Sequence, residues 1–116
     1  MPRLTDPRIA AATAPLPADA PDPAEFRYDP EFDALDSEIR RLERDGPAGL
    51  QWPEMARQAE AILANRSKDL SVAVWLALSL AQSEGLPGLS VGLSILRDLI
   101  EQNWDTLFPP KARARA

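Results

Sequence analysis

Five carboxylates crowd into residues 29–38: Asp29, Glu31, Asp33, Asp36 and Glu38. A divalent cation or a general acid–base pair needs carboxyl oxygens that converge on one point. On a helix these offsets fan the acids outward, and no Asp-x-Asp-x-Asp-Gly loop frames them. We read them as a solvated helix face. Other chemistry-bearing types are sparse. The chain has no His and no Cys. That removes the commonest general base and metal ligand, and with them any disulfide, zinc thiolate site or thiol nucleophile. An enzyme would have to work with carboxylates, Lys, Tyr or Ser, and no nucleophile–base spacing or phosphate loop is present. A glycosidase-like carboxylate pair stays compatible with the sequence, but a small solid bundle offers it little cleft. No catalytic residue, cofactor or metal ligand is therefore assigned. The net charge of −5 over 116 residues argues against nucleic acid as the main partner, because phosphate binding needs a basic surface.

The elements follow from hydrophobic patterning. Ten of the thirteen residues from Asp69 to Ala81 are apolar, with no polar break from Val72 to Leu78. This run is too short for a bilayer, which needs about 20 apolar residues, so no membrane contact is expected of this chain. Ala and Leu outnumber the β-branched residues, which favours helix. A helix apolar on every side must be covered on every side. The stretch is thus expected to be the central helix of a small all-α bundle, capped by Asp69, with Trp75 filling the core.

Three further main helices are predicted around it. Asp29 is a good N-cap and Pro30 suits the first helical position. Phe32, Leu35, Ile39 and Leu42 then form one apolar stripe up to about Arg44, and Asp36–Arg40 is a favourable i,i+4 pair. A second helix opens at Trp52-Pro53 and buries Met55, Ala56, Ala59, Ile62 and Leu63. After the central helix, Gly85 and Gly88 make the turn. The last helix runs from about Pro87 to Asn103, with Leu89, Leu93, Leu96 and Ile100 as its seam and Gly92 placed for close helix approach. The second and last helices should flank the central one, and the Asp29-capped helix should close the remaining side.

The ends carry less structure. Residues 1–28 hold six of the twelve prolines, which excludes a long helix. Residues 1–25 read as a Pro/Ala-rich leader, partly disordered, with room for one short turn of helix at Asp6 to Ala12, where Ile9 is the one large apolar residue; a proline-rich ligand for a partner domain is the alternative. Residues 26–110 form the helical domain, and the basic residues 111–116 read as the end of a fragment.

At this point the residues resemble a known family. Arg27-Tyr28-Asp29-Pro30-Glu31-Phe32, Trp52-Pro53, Arg66-Ser67-Lys68-Asp69-Leu70, Trp75-Leu76, Gly85-Leu86-Pro87-Gly88-Leu89, Gly92-Leu93 and Trp104-Asp105-Thr106-Leu107-Phe108-Pro109 follow the order and spacing of the ImpA-type N-terminal domain. That domain begins the TssA-like proteins of bacterial type VI secretion systems. The resemblance covers about residues 26–110. It implies a cytoplasmic, non-enzymatic assembly factor whose partners are baseplate, sheath or inner-tube proteins. It also implies a longer protein, with a ring-forming C-terminal domain absent from this chain. The family supplies no catalytic residues. Its motif positions read as architecture at Asp29, Asp69, Trp75, Gly85 and Gly88. Arg27, Tyr28, Trp104, Asp105 and Phe108 are left as candidates for a protein interface, the alternative being that they pin the chain ends to the bundle. A helical-repeat adaptor unrelated to secretion is the competing reading, although no self-similarity at a 34-residue period is found.

Overall fold

Three Asp-Pro dipeptides, at residues 6–7, 22–23 and 29–30, each start a helix in the computed structural model, which describes residues 5–109. In each, the Asp carboxylate accepts from the backbone N–H two residues on, at Arg8, Ala24 and Glu31. The proline that follows has its φ preset for the first helical position and lacks an N–H that would otherwise be left unpaired. The resulting helices are α1 (Pro7–Thr13), α2 (Pro23–Phe26) and α3 (Pro30–Asp45). α4 (Trp52–Asn65), α5 (Leu70–Glu84) and α6 (Leu86–Asn103) complete an all-α fold. The four main helices lie within a residue or two of their predicted bounds.

α5 is the central helix. It packs most extensively against α6 and α4, and Val72, Ala73, Leu76, Ala77 and Leu80 are buried there. Asp69 caps it, accepting from the Ser71 and Val72 N–H groups. The expectation that every side of α5 is covered does not hold. Val74 is 49% exposed, and Trp75 is half-buried at the edge of the core. The Trp75 indole packs on Phe32 with ring centroids 5.5 Å apart. Its role is to join α3 to α5, and removing it forfeits only part of the burial that a fully enclosed Trp would lose.

The side of the core assigned to the Asp29-capped helix is closed by α1 instead, which lies across α4 and α6. α3 leans on α4 and reaches α5 through Phe32. Residues 7–13, set apart as leader in the sequence reading, thus belong to the packed structure: Ile9 and Ala12 are buried in the common core. Two charged contacts hold α1 down. The Arg8 guanidinium donates to both Glu84 oxygens, at 2.7 and 3.1 Å. The Lys68 ammonium donates to the Ala12 carbonyl at 2.7 Å. Ile9→Ala is therefore expected to lower stability by about 2–3 kcal/mol, read as a shift in the urea midpoint; a loosely attached leader would give no shift.

α6 also differs from expectation. Its inward face is Gly88, Val91, Gly92, Ile95 and Leu99, whereas Leu93 and Ile100 are exposed and Leu89 and Leu96 half-buried. The glycines explain the rotation. A Cβ on Gly92 would lie 2.5 Å from the Ala77 Cα, and one on Gly88 would lie 2.2 Å from the Leu80 carbonyl oxygen. Only bare backbone fits so close to α5, so the small face turns inward and the leucines turn out. Gly88 accordingly sits inside the first turn of α6, not in the connection. Gly85 alone makes the turn, with φ at +71°, a left-handed conformation that favours glycine. The basic residues 111–116 lie outside the described residues.

Candidate functional site

The joint between α4 and α5, residues 66–69, holds three of the six buried polar or charged residues among the described residues: Ser67, Lys68 and Asp69. The C-terminal residues after α6 return to it. The Phe108 N–H donates to the Lys68 carbonyl at 2.9 Å, and the Leu70 N–H donates to the Phe108 carbonyl at 2.7 Å. Leu107, buried beside them, anchors the return. From the connection between α2 and α3 comes Arg27. Its Nε donates to Asp69 Oδ2 at 2.7 Å and its Nη2 to Asp69 Oδ1 at 3.0 Å. Asp69 has no solvent exposure, so this two-point pair compensates a buried carboxylate. The guanidinium lies between two rings, 5.0 Å from the Phe32 centroid and 4.8 Å from that of Phe108. A parallel arrangement holds α3: Arg66 Nη2 donates to the Asp29 carboxylate at 3.1 Å and its guanidinium covers Phe26 at 5.3 Å.

Above the Arg27–Asp69 pair opens a groove of about 800 Å³. Phe32, Trp75 and Phe108 form its aromatic wall, Tyr28 stands at one edge, and Asp33 and Asp36 line the α3 side. Tyr28 is 90% exposed. The structure therefore brings three of the five interface candidates, Arg27, Tyr28 and Phe108, to one place. Trp104 and Asp105 are exposed beyond the end of α6 and do not line the groove. Arg27 lines the groove and also ties the bundle together. Its charge is spent on Asp69 and its faces on two rings, so it builds the floor. Phe108 is half-buried and shares that work. Tyr28 is the candidate most available to a partner. Trp75, assigned to the core from sequence, lines the groove instead.

Sequence reading missed Lys68. It is 4% exposed and, among the described residues, pairs with no carboxylate; its Nζ donates to the carbonyls of Ala12 and Leu63, both at 2.7 Å. These belong to the last turns of α1 and α4, where unpaired carbonyls and the helix dipole both favour a cation. Burial nonetheless depresses its pKa from 10.5 to about 8. The folded protein then binds fewer protons than the unfolded chain between about pH 8 and 10.5, so this group makes stability rise with pH through that window. Below pH 8 the cost of the buried charge is present in full. Lys68→Met is expected to abolish this rise, read from urea midpoints at pH 7 to 10, and to weaken the hold on α1. A wild-type midpoint that stays flat or falls relative to the variant over that range would refute the assignment.

What the fold and the groove define is a small all-α domain that displays an aromatic-walled surface groove. Comparison with known proteins gives the family. The sequence model described as "ImpA, N-terminal, type VI secretion system" matches residues 13–116, and the chain belongs to that family. The type VI secretion system component TssA1 of Pseudomonas aeruginosa is 36% identical over 92 residues, covering 70% of this chain and 26% of that protein. The solved N-terminal domain of the TssA component from Burkholderia cenocepacia, which includes the conserved ImpA_N region, superposes with a TM-score of 0.75 at 28% identity. That match covers 95% of this chain and 43% of the solved chain. The chain thus spans about a quarter of the length of its curated relative.

Proposed function

We propose that this domain is a non-catalytic docking module of a type VI secretion assembly factor, working in the cytoplasm and binding a baseplate, sheath or inner-tube protein through the Tyr28 groove. Membership of the ImpA N-terminal family supports the secretion role. The observation that carries the choice of surface is the exposed Tyr28 beside a wall of Phe32, Trp75 and Phe108. Aromatic side chains at the edge of a preformed groove are the usual anchors of protein contacts, because they cover much area at little entropic cost. The Asp33 carboxylate on the same groove favours a partner segment with a basic residue, whereas Asp36 already pairs with Arg40 at 2.7 Å. Among the described residues no helix is long and apolar enough to cross a membrane.

The test is capture of purified tail components by the tagged chain, wild type against Tyr28→Ala. Tyr28→Ala should keep the wild-type melting temperature and weaken binding at least tenfold. Unchanged binding by the variant would remove the groove as the site. A folded wild-type chain that binds no baseplate, sheath or tube protein would remove the docking role. Arg27→Ala is unsuitable for this experiment because it strips Asp69 of its counter-charge.

A further inference from the structure

The exposed leucines of α6 have a spacing that the fold itself does not use. Leu86, Leu93 and Ile100 are 78%, 53% and 41% exposed. With half-buried Leu89 and Leu96 they occupy positions 86, 89, 93, 96 and 100, in alternating steps of three and four. That is a repeat of 3.5 residues, the a/d seam by which one helix packs along another. The closest intramolecular contacts of α6 lie on other faces: it meets α5 through Gly88 and Gly92 and α1 beside it, while of the stripe Leu96 also packs on the core.

We propose that this face of α6 is a homotypic interface, through which two copies of the domain associate weakly, helix against helix. The charge pattern favours a second copy over a charged partner. Between residues 86 and 100 the only charged side chains are Arg97 and Asp98, and they pair with each other at 3.1 Å. In a chain of net charge −5 this is a neutral face, and two copies meet on it without bringing like charges together. The pattern is also self-complementary, as a two-fold interface requires. In an antiparallel pair Leu89 falls opposite Ile100 of the second copy, and Leu93 opposite its Leu96. Area sets the strength. The stripe presents on the order of 400 Å² of apolar surface per copy, within the range of the largest patches on monomers. A pair then buries roughly 800 Å², below the 1,200 Å² at which stable interfaces begin. A weak, reversible dimer follows. This face shares no residue with the Tyr28 groove, so the inference stands apart from the docking role.

Sedimentation equilibrium of the 116-residue chain, from about 10 μM to 1 mM, tests it. The expected apparent mass rises with concentration from the monomer value of 12.7 kDa towards twice that. Leu93→Glu, at an exposed position in the middle of the stripe, should raise the dissociation constant at least tenfold with an unchanged thermal melt. Val74→Glu, an equally exposed apolar position on α5, should leave it within twofold of wild type. A monomer mass throughout overturns the proposal, as does a Leu93→Glu chain that dimerises like wild type or a Val74→Glu chain weakened to the same degree.

Discussion

Arg27→Ala is expected to lower the stability of the domain by about 3–5 kcal/mol, the cost of leaving a buried carboxylate without its partner. Asp69 is the carboxylate concerned. It has no exposed surface, and among the described residues it keeps, without Arg27, only the Ser71 and Val72 N–H groups as hydrogen-bond donors. The variant also leaves a gap between the Phe32 and Phe108 rings, which now enclose the guanidinium. Against a typical total of 5–15 kcal/mol, such a loss takes a large share of the stability. Arg27→Lys is expected to recover part of it, since an ammonium restores the charge but not the two parallel hydrogen bonds. Asp69→Ala added to Arg27→Ala should cost less than the sum of the single changes, because the second removes the charge that the first leaves stranded. Urea unfolding of the four proteins measures this cycle. Additive losses would mean that Arg27 and Asp69 act independently, and a wild-type midpoint for Arg27→Ala would return Arg27 to the surface.

The Arg27 result bears on what a sequence can and cannot reveal. α3 and α4 were legible because their apolar residues recur with helical spacing, α5 because its apolar run is unbroken, and the ends of all three carry Asp, Pro or Gly. α1 was legible only as room for one short turn of helix and not as part of the core, although Asp6-Pro7 is the same helix start as Asp29-Pro30. One buried isoleucine on a seven-residue helix gives no periodicity, so the six prolines dominated the reading. On α6 periodicity was visible but its meaning was inverted. Leucine spacing marks an apolar face, and only the clearance between helices decides which face the core takes. Gly88 and Gly92 set that clearance. The groove was legible as residues but not as a place, because Arg27, Asp69 and Phe108 meet only once the α2–α3 connection and the segment after α6 fold onto the α4–α5 joint. Lys68 entered the sequence reading only within the Arg66-Ser67-Lys68-Asp69-Leu70 motif, since a lone lysine in sequence does not show that two helix ends converge on it.

That same clearance sets the second large effect. Gly92→Val is expected to destabilise the domain by about 3 kcal/mol or more, at or beyond the upper end for overpacked cores. The first added carbon would lie 2.5 Å from the Ala77 Cα and 2.7 Å from its Cβ. A flexible side chain could rotate away from such a clash; backbone cannot, so α5 and α6 must separate. Separation also opens the contacts made by Ile95 and Leu99 on the buried face of α6. Gly92→Ala carries the same first carbon and should show most of the loss, even though alanine is intrinsically the better helix former by about 1 kcal/mol. The compensating change is Ala77→Gly. It removes the contact at 2.7 Å but leaves the Cα at 2.5 Å, so it should restore only part of the stability of Gly92→Ala. Urea midpoints distinguish the outcomes. A Gly92→Ala chain more stable than wild type would mean that helix propensity outweighs packing here, and the close approach of α5 and α6 could not then be what turns the leucines of α6 outward.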